Sequence, residues 1–324
     1  MKRCLLFLLF ALGLCLLPGI ASAQTCTFSA TAMPFSGSII GGSVLTSTST
    51  VTASCSGVIG YGTSVLVCPD LNEGSGGATS AYRQMLNGTS TLNYQLYSDS
   101  ARTTVWGSAT WSYAARPPGF IVLLTQIGLS ISLTGSGSAT VYGSIPAGQT
   151  TSAAGTYTSV FSGTQAAFRY RYNDSLGCSA NSGTAVQTSG LTVSMTVAKE
   201  LTVSAQAIDF GTRGVLNANI DQTGQVSVLC TPSTSSPSYD VALSAGNNAL
   251  SGVRRMIKGT EYISYGLYKD AARSVPWTAV SPGNTNSGTC TGVAINLPVY
   301  ARIPSQKSPT PGLYSDTIVV TVTY

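Results

Sequence analysis

What most restricts this chain is that it repeats itself. Cys26-Thr-Phe-Ser-Ala-Thr-Ala-Met-Pro-Phe35 resembles Leu201-Thr-Val-Ser-Ala-Gln-Ala-Ile-Asp-Phe210 at an offset of 175 residues, and Cys55 and Cys230 keep that offset. At 171, Arg83-Gln-Met85 matches Arg254-Arg-Met256, and Gly88 matches Gly259. Tyr94-Gln-Leu-Tyr97 matches Tyr265-Gly-Leu-Tyr268 at the same offset, followed by Asp99, Arg102 and Trp106 against Asp270, Arg273 and Trp277. At 158, Val141-Tyr142 and Ile145-Pro146 match Val299-Tyr300 and Ile303-Pro304, and Gly155-Thr-Tyr157 matches Gly312-Leu-Tyr314 at 157. So many matches in one order mean two copies of one domain, placed at 24–198 and 199–324. Each copy reads as short alternating strands separated by Gly, Ser, Asn and Pro, the pattern of an all-β sandwich.

The residues before the first copy read as a secretion signal. Lys2 and Arg3 supply the positive start, Cys4 to Leu17 the apolar run, and Ala21-Ser22-Ala23 the cleavage site, so residues 1–23 are expected to be removed. The run is short for a membrane span and ends at Pro18-Gly19. The full chain carries a formal net charge of +5. Losing Lys2 and Arg3 lowers it further, too little for a nucleic-acid partner.

Catalysis and metal binding have little to work with. The chain has no histidine, which removes Ser–His–Asp and Cys–His arrangements. None of the cysteines left after cleavage forms a CxxC pair, so zinc ligation has poor support. Asp99 and Asp270 recur with an Arg three residues on, and read as turn-stabilising residues rather than glycosidase acids. Arg83, Met85, Tyr94, Tyr97 and Trp106 would suit a sugar platform, but their matches in the second copy mark them as shared scaffold. No catalytic residue, cofactor or metal is assigned.

Function is read from what the copies do not share. The stretch Gly190–Ala198, GLTVSMTVA, places Leu191, Val193, Met195 and Val197 on one face and Thr192, Ser194 and Thr196 on the other. That alternation marks a half-buried strand. It completes the first copy. The second copy reaches Ile318, Val320, Val322 and Tyr324, again alternating, and has no following counterpart. A sandwich short of its last strand exposes an apolar groove and unpaired backbone groups, which a strand from another chain would fill. The strand Ile318–Tyr324 is therefore expected to border an open groove that binds a partner.

The shrinking offsets also place insertions in the first copy. Four extra residues lie between Cys55 and Arg83, in a stretch containing Val58, Ile59 and Tyr61. Thirteen more lie between Trp106 and Val141, in a stretch containing Phe120, Ile121, Val122, Leu123 and Leu124. Apolar residues in extra loop length suggest a binding surface, with Phe120, just after the Pro117-Pro118-Gly119 turn, the most exposed.

These residues resemble the spore coat protein U domain family, on TVSAQAIDFG at Thr202–Gly211, RRMxxG at Arg254–Gly259, YxLYxD at Tyr265–Asp270 and the terminal GLYSDTIVVTVTY. The two-domain layout looks like the tip adhesins of archaic, Csu-type chaperone–usher pili. That resemblance implies incomplete immunoglobulin-like domains, a periplasmic chaperone that fills the groove first, an outer-membrane usher, and a next pilus subunit that replaces the chaperone strand. It also implies apolar distal loops that hold abiotic or host surfaces and promote biofilm growth. A spore- or cell-coat structural protein and a secreted lectin are the alternatives. Gln24-Thr25 leads directly into the first strand, so the protein is expected to accept a strand without donating one, and to stand at the pilus tip.

The family's usual cysteine at position 201 is Leu here. Six cysteines allow 15 pairings. The expected set is Cys26–Cys55 at neighbouring strand starts, Cys68–Cys178 tying the linker loop to the first copy, and Cys230–Cys290 within the second.

Overall fold

The computed structural model describes residues 24–60, 62–109, 111, 119–129, 131–174, 177–178, 185–188, 190–232, 238–280 and 284–324. The expected signal segment 1–23, Tyr61 and the Pro117-Pro118 turn lie outside them. Among the described residues no helix is long and apolar enough to cross a membrane.

The chain is all-β. Its first half contains β1 (Thr25–Ala30), β2 (Met33–Phe35), β3 (Leu45–Val58), β4 (Ser64–Leu71), β5 (Arg83–Asn87), β6 (Ser90–Tyr97), β7 (Phe120–Leu123) and β8 (Thr125–Gln126). It continues with β9 (Ser132–Ile145), β10 (Gly155–Phe161), β11 (Ala166–Tyr172), β12 (Ala185–Thr188) and β13 (Leu191–Val197). The second half contains β14 (Leu201–Ala205), β15 (Ile220–Cys230), β16 (Tyr239–Leu243), β17 (Arg254–Lys258) and β18 (Glu261–Tyr268), then β19 (Asn286–Gly288), β20 (Ile295–Ile303) and β21 (Val320–Thr323).

In the first half one sheet runs β1-β3-β9-β6-β5-β10-β13-β2, with β8 also on β9, and a second runs β12-β11-β4-β7. β1 and β2 are nearly contiguous in sequence yet lie at opposite ends of the first order, so that sheet curls round on itself. The second half repeats the plan with sheets β14-β15-β20-β18-β17 and β19-β16-β21. Two apolar clusters result. One gathers residues from Cys26 to Val197, around Met33, Leu92, Leu96, Phe161 and Phe168. The other gathers residues from Phe210 to Ile303, around Val228, Val241 and Leu267.

The repeated motifs are the scaffold of each cluster. Arg83 is fully buried. It donates to the carbonyls of Leu71, Asn72 and Trp106, and to the side-chain oxygen of Gln95. Arg254 does the same with the carbonyls of Leu243, Ser244 and Trp277. Each guanidinium thus satisfies backbone oxygens that burial would otherwise strand. Trp106 and Trp277 are fully buried and donate their indole N–H groups to Pro69 and Val241. With Met85 and Tyr94 also buried, no sugar platform exists at these positions.

Asp99 and Asp270 each close a turn. Asp99 accepts the backbone N–H groups of Thr103 and Thr104, and Asp270 those of Ser274 and Val275. Those bonds hold both carboxyls below the usual carboxylate range. The neighbouring arginines point elsewhere: Arg102 donates to Gly143 and Arg273 to Ala301. The disulfides are Cys26–Cys55, Cys68–Cys178 and Cys230–Cys290. The first joins directly paired residues of β1 and β3.

Candidate functional site

The seam around β13 is where the halves part. In the first half β13 lies between β10 and β2. It pairs antiparallel with β10 from Phe161↔Leu191 to Gly155↔Val197, and parallel with β2 at Val193↔Met33 and Met195↔Phe35. Leu191, Val193, Met195 and Val197 are all buried, and Tyr157, Ser159 and Phe161 on β10 have no exposure.

The repeat maps Tyr157, Ser159 and Phe161 onto Tyr314, Asp316 and Ile318, and Met33 and Phe35 onto Ile208 and Phe210. The single bridge Ile257↔Ser315 fixes this register, because it stands where β10 meets β5 at Thr158↔Leu86. Among the described residues no strand lies between 208–210 and 312–318. Neither segment is a strand itself. Instead a cleft of about 510 Å³ opens there, floored by core residues such as Val226, Leu243, Leu267 and Val299. A second cleft of about 470 Å³ continues it past Met256 and Ile263, with Ile208, Phe210, Leu313 and Tyr314 lining both. The rim is held in place. Glu261 accepts from Thr310 N–H and from the Tyr314 hydroxyl, and Asp316 accepts from Tyr265 and Asn248.

The expected partner strand needs correction in detail. Ile318 and Val320 line the cleft. Val322 does not: β21 pairs it with Val241 on β16, and it packs on the core. Tyr324 sends its hydroxyl to the Thr231 carbonyl. The groove edge lies earlier, at 312–318, facing 208–210. The Gly155/Gly312 and Met33/Ile208 matches carried that signal, since they flank the unmatched strand on both sides.

The apolar insertions meet at the far end of the first half. β3 and β9 run together to Val58↔Ser132, and Ile59 N–H then donates to the Ile131 carbonyl at 3.0 Å. The second insertion is not a free loop. β7 is an edge strand on β4, with Val67↔Phe120, Leu66↔Ile121, Val65↔Val122 and Ser64↔Leu123. Strand alternation splits the expected surface set. Ile121 and Leu123 point outward, 47% and 69% exposed. Val122 and Leu124 are buried and leave the set. Phe120 is half-buried against the core rather than the most exposed residue. Val58 is half-buried and Ile59 is 48% exposed. Gly135 on β9 allows this crossing: a Cβ there would sit 2.0 Å from the Leu123 carbonyl oxygen.

Sequence reasoning missed three residues here. Ile127 and Ile131 are 66% and 64% exposed, and Leu129 between them is fully exposed. They belong to the same long insertion, and their every-other-residue spacing was the available signal. The turn at Gly128, with φ +63°, carries Leu129 outward.

The resolved carboxylate and tyrosine shifts all run away from the acid–base range. The shifted carboxylates Asp99, Asp221, Glu261 and Asp270 all move down, through hydrogen bonds. The shifted tyrosines move up through burial, Tyr172 to about 12. A general acid or base is tuned the other way, toward neutrality.

Spore Coat Protein U domain sequences match residues 14–164 and again 187–321. The chain belongs to the Spore Coat Protein U domain family. The second match begins ahead of β13, so by sequence that strand leads the second copy while in space it is built into the first. Protein U of Myxococcus xanthus is 33% identical over 132 residues, which is 36% of this chain and 71% of that protein. Two solved structures are similar in outline. The CsuC–CsuE chaperone–tip adhesion subunit pre-assembly complex from archaic chaperone–usher Csu pili of Acinetobacter baumannii has 16% identity and a TM-score of 0.49, covering 93% of this chain and 100% of that one. CfaE, the adhesive subunit of the CFA/I fimbria of enterotoxigenic Escherichia coli, has 14% identity and a TM-score of 0.26, covering 79% of this chain and 86% of that one.

Proposed function

We propose that this family member is a non-enzymatic adhesive subunit of a secreted chaperone–usher pilus, displayed at its tip on the cell surface. The observation that carries the reading is the apolar cleft between 208–210 and 312–318, at the position that β13 fills in the first half. A strand from a periplasmic chaperone occupies it during export. A strand from the next pilus subunit replaces it at the usher. The functional units are then 24–198 and 199–324, the second completed only in the assembly.

The exposed apolar residues Ile59, Ile121, Leu123, Ile127, Leu129 and Ile131 support an adhesive role, because they fall in the two stretches where the first copy carries insertions relative to the second. Such side chains bind a surface by releasing the water that covers them, with no need for specific hydrogen bonds. Contact with abiotic or host surfaces, and hence biofilm formation, is the expected outcome. Co-expression with the cognate chaperone should give a soluble complex, and expression without it an aggregate. Replacing Ile127, Leu129 and Ile131 with Ser should leave filaments normal by electron microscopy and remove cell attachment. Unchanged attachment would take the cluster out of the mechanism.

A coat structural protein is the second reading, favoured by the family description and by the likeness to Protein U. Immunogold labelling separates them: label on filament ends supports the first reading, and label spread over an envelope supports the second.

A further inference from the structure

The cleft is not uniformly apolar. Asp316 lines its wall, at the place of Ser159 in the first half. There Ser159 pairs with Val193 on β13 and has no exposure. Asp316 is only half-buried, and a strand entering the cleft would cover it further.

The carboxylate is built into the wall. Its Oδ2 accepts from the Tyr265 hydroxyl at 2.7 Å, and its Oδ1 from the Asn248 side chain at 2.9 Å and the Asn248 backbone at 3.2 Å. Gly246, with φ +88°, leaves room for it: a Cβ there would sit 2.0 Å from Oδ2. Burial, and then Asp316 itself, push the Tyr265 hydroxyl up, so it stays a donor. Two carboxylate oxygens offer about four acceptor positions. Three donors reach them, which leaves one position on Oδ2.

We propose that Asp316 selects the incoming strand: its occupant is an extended segment with four inward positions, apolar at the first, third and fourth and carrying a neutral hydrogen-bond donor, Thr, Ser or Asn, at the second. The register comes from the first half. Leu191, Val193, Met195 and Val197 stand against positions equivalent to Ile318, Asp316, Tyr314 and Gly312, so the second inward residue faces the carboxylate. Val at that place would leave an acceptor position of the carboxylate under hydrocarbon with no donor, whereas Thr has the same shape and supplies one. A cationic residue is not required, because Arg254 already places positive charge behind the Asp316–Tyr265 pair. The selection rests on the strand-accepting reading above.

The test uses the full chain refolded with synthetic peptides based on Gly190–Ala198. One keeps Val at the second inward position, and others carry Thr or Lys there. Binding is measured by fluorescence anisotropy. The Thr peptide should bind about tenfold tighter than the Val peptide. In D316S, matching the first half, that preference should shrink to within about twofold. In D316L it should invert. Equal binding of Val and Thr peptides to the unmodified chain overturns the selection while leaving the cleft as a strand acceptor. Tightest binding by Lys overturns the neutral-donor rule. No binding by any peptide overturns the strand-accepting reading itself.

Discussion

Tyr157, Ser159 and Phe161 in the first half and Tyr314, Asp316 and Ile318 in the second are the same positions of one repeated domain. The first three are sealed, and the second three are partly open to water. The backbone follows suit: 155–161 is a full strand, while 312–318 makes one bridge. Local sequence does not explain this, because the alternation of inward residues is alike. Pairing does. A segment becomes a strand when a neighbour on its far side accepts from its N–H groups and donates to its C=O groups, and among the described residues only the first half has that neighbour. The floor of the cleft is nonetheless a finished core, with Val299 and Leu243 buried. Among the described residues, the core of the second half is therefore packed beneath an edge where a strand would dock.

The comparison can be broken most decisively by supplying the missing neighbour. Extending the chain past Tyr324 with a short turn and a copy of Gly190–Ala198, with Thr at the place of Val193, should close the cleft in cis. Three apolar side chains at about 1.5–3 kcal/mol each give an upper bound of roughly 4–9 kcal/mol for the second half. Hydrogen exchange of β18 and β20 should slow accordingly and leave the first half unchanged. Unaltered exchange would mean that the cleft is not a strand site.

A smaller effect sharpens the contrast. Met195→Ala, in the filled seam, should cost about 2–5 kcal/mol in urea unfolding. Leu313→Ala, on the rim of the open one and 87% exposed, should stay within about 0.5 kcal/mol. Equal costs would show that the two seams are packed alike.

The smallest effect tests what the halves share. Asp99 and Asp270 are held low by matching turn hydrogen bonds. A depressed carboxylate contributes stability above its unfolded pKa and loses it as pH falls through the folded one. Asp99→Asn and Asp270→Asn should each slightly flatten the acid limb of a denaturation curve, and by similar amounts. Because both residues sit in half-exposed surface turns where solvent screens them, the change should be slight. A change in only one half would mean the turns are not equivalent.

Much of this was legible in the residues. The offsets located both copies, alternation located the strand Leu191–Val197, and the three disulfides followed from where the cysteines fall in each copy rather than from the repeat, since Cys26 is matched by Leu201. The apolar insertion at Phe120–Leu124 was legible as an insertion but not as a strand. Whether Val122 faces in or out depends on its pairing with Val65, a contact across more than fifty residues that periodicity in a four-residue run cannot supply. The groove reading was legible only in part. Ile318–Tyr324 does include an edge strand, since β21 has β16 on one side and ends its sheet, but only Ile318 and Val320 of the four line the cleft, which extends back along 312–318. Ile127, Leu129 and Ile131 alternate like a core strand, and only the turn at Gly128 turns them outward.

The course of β13 also decides how a pull would travel. The strand runs from the side of the apolar cluster toward the second half, leaves the first at Val197, and enters β14 a short step later at Leu201. At that junction the Ser38 hydroxyl bonds the Glu200 carboxylate. Tension between an anchored cluster and the second half therefore acts along β13, against all seven of its pairs with β10 at once rather than one after another. Strands loaded lengthwise in this way slide only when the whole ladder fails. If it did fail, the Cys68–Cys178 link lies just upstream and would stop the chain from paying out past Cys178. The seam that completes the first half is thus also its tether, with a covalent stop behind it.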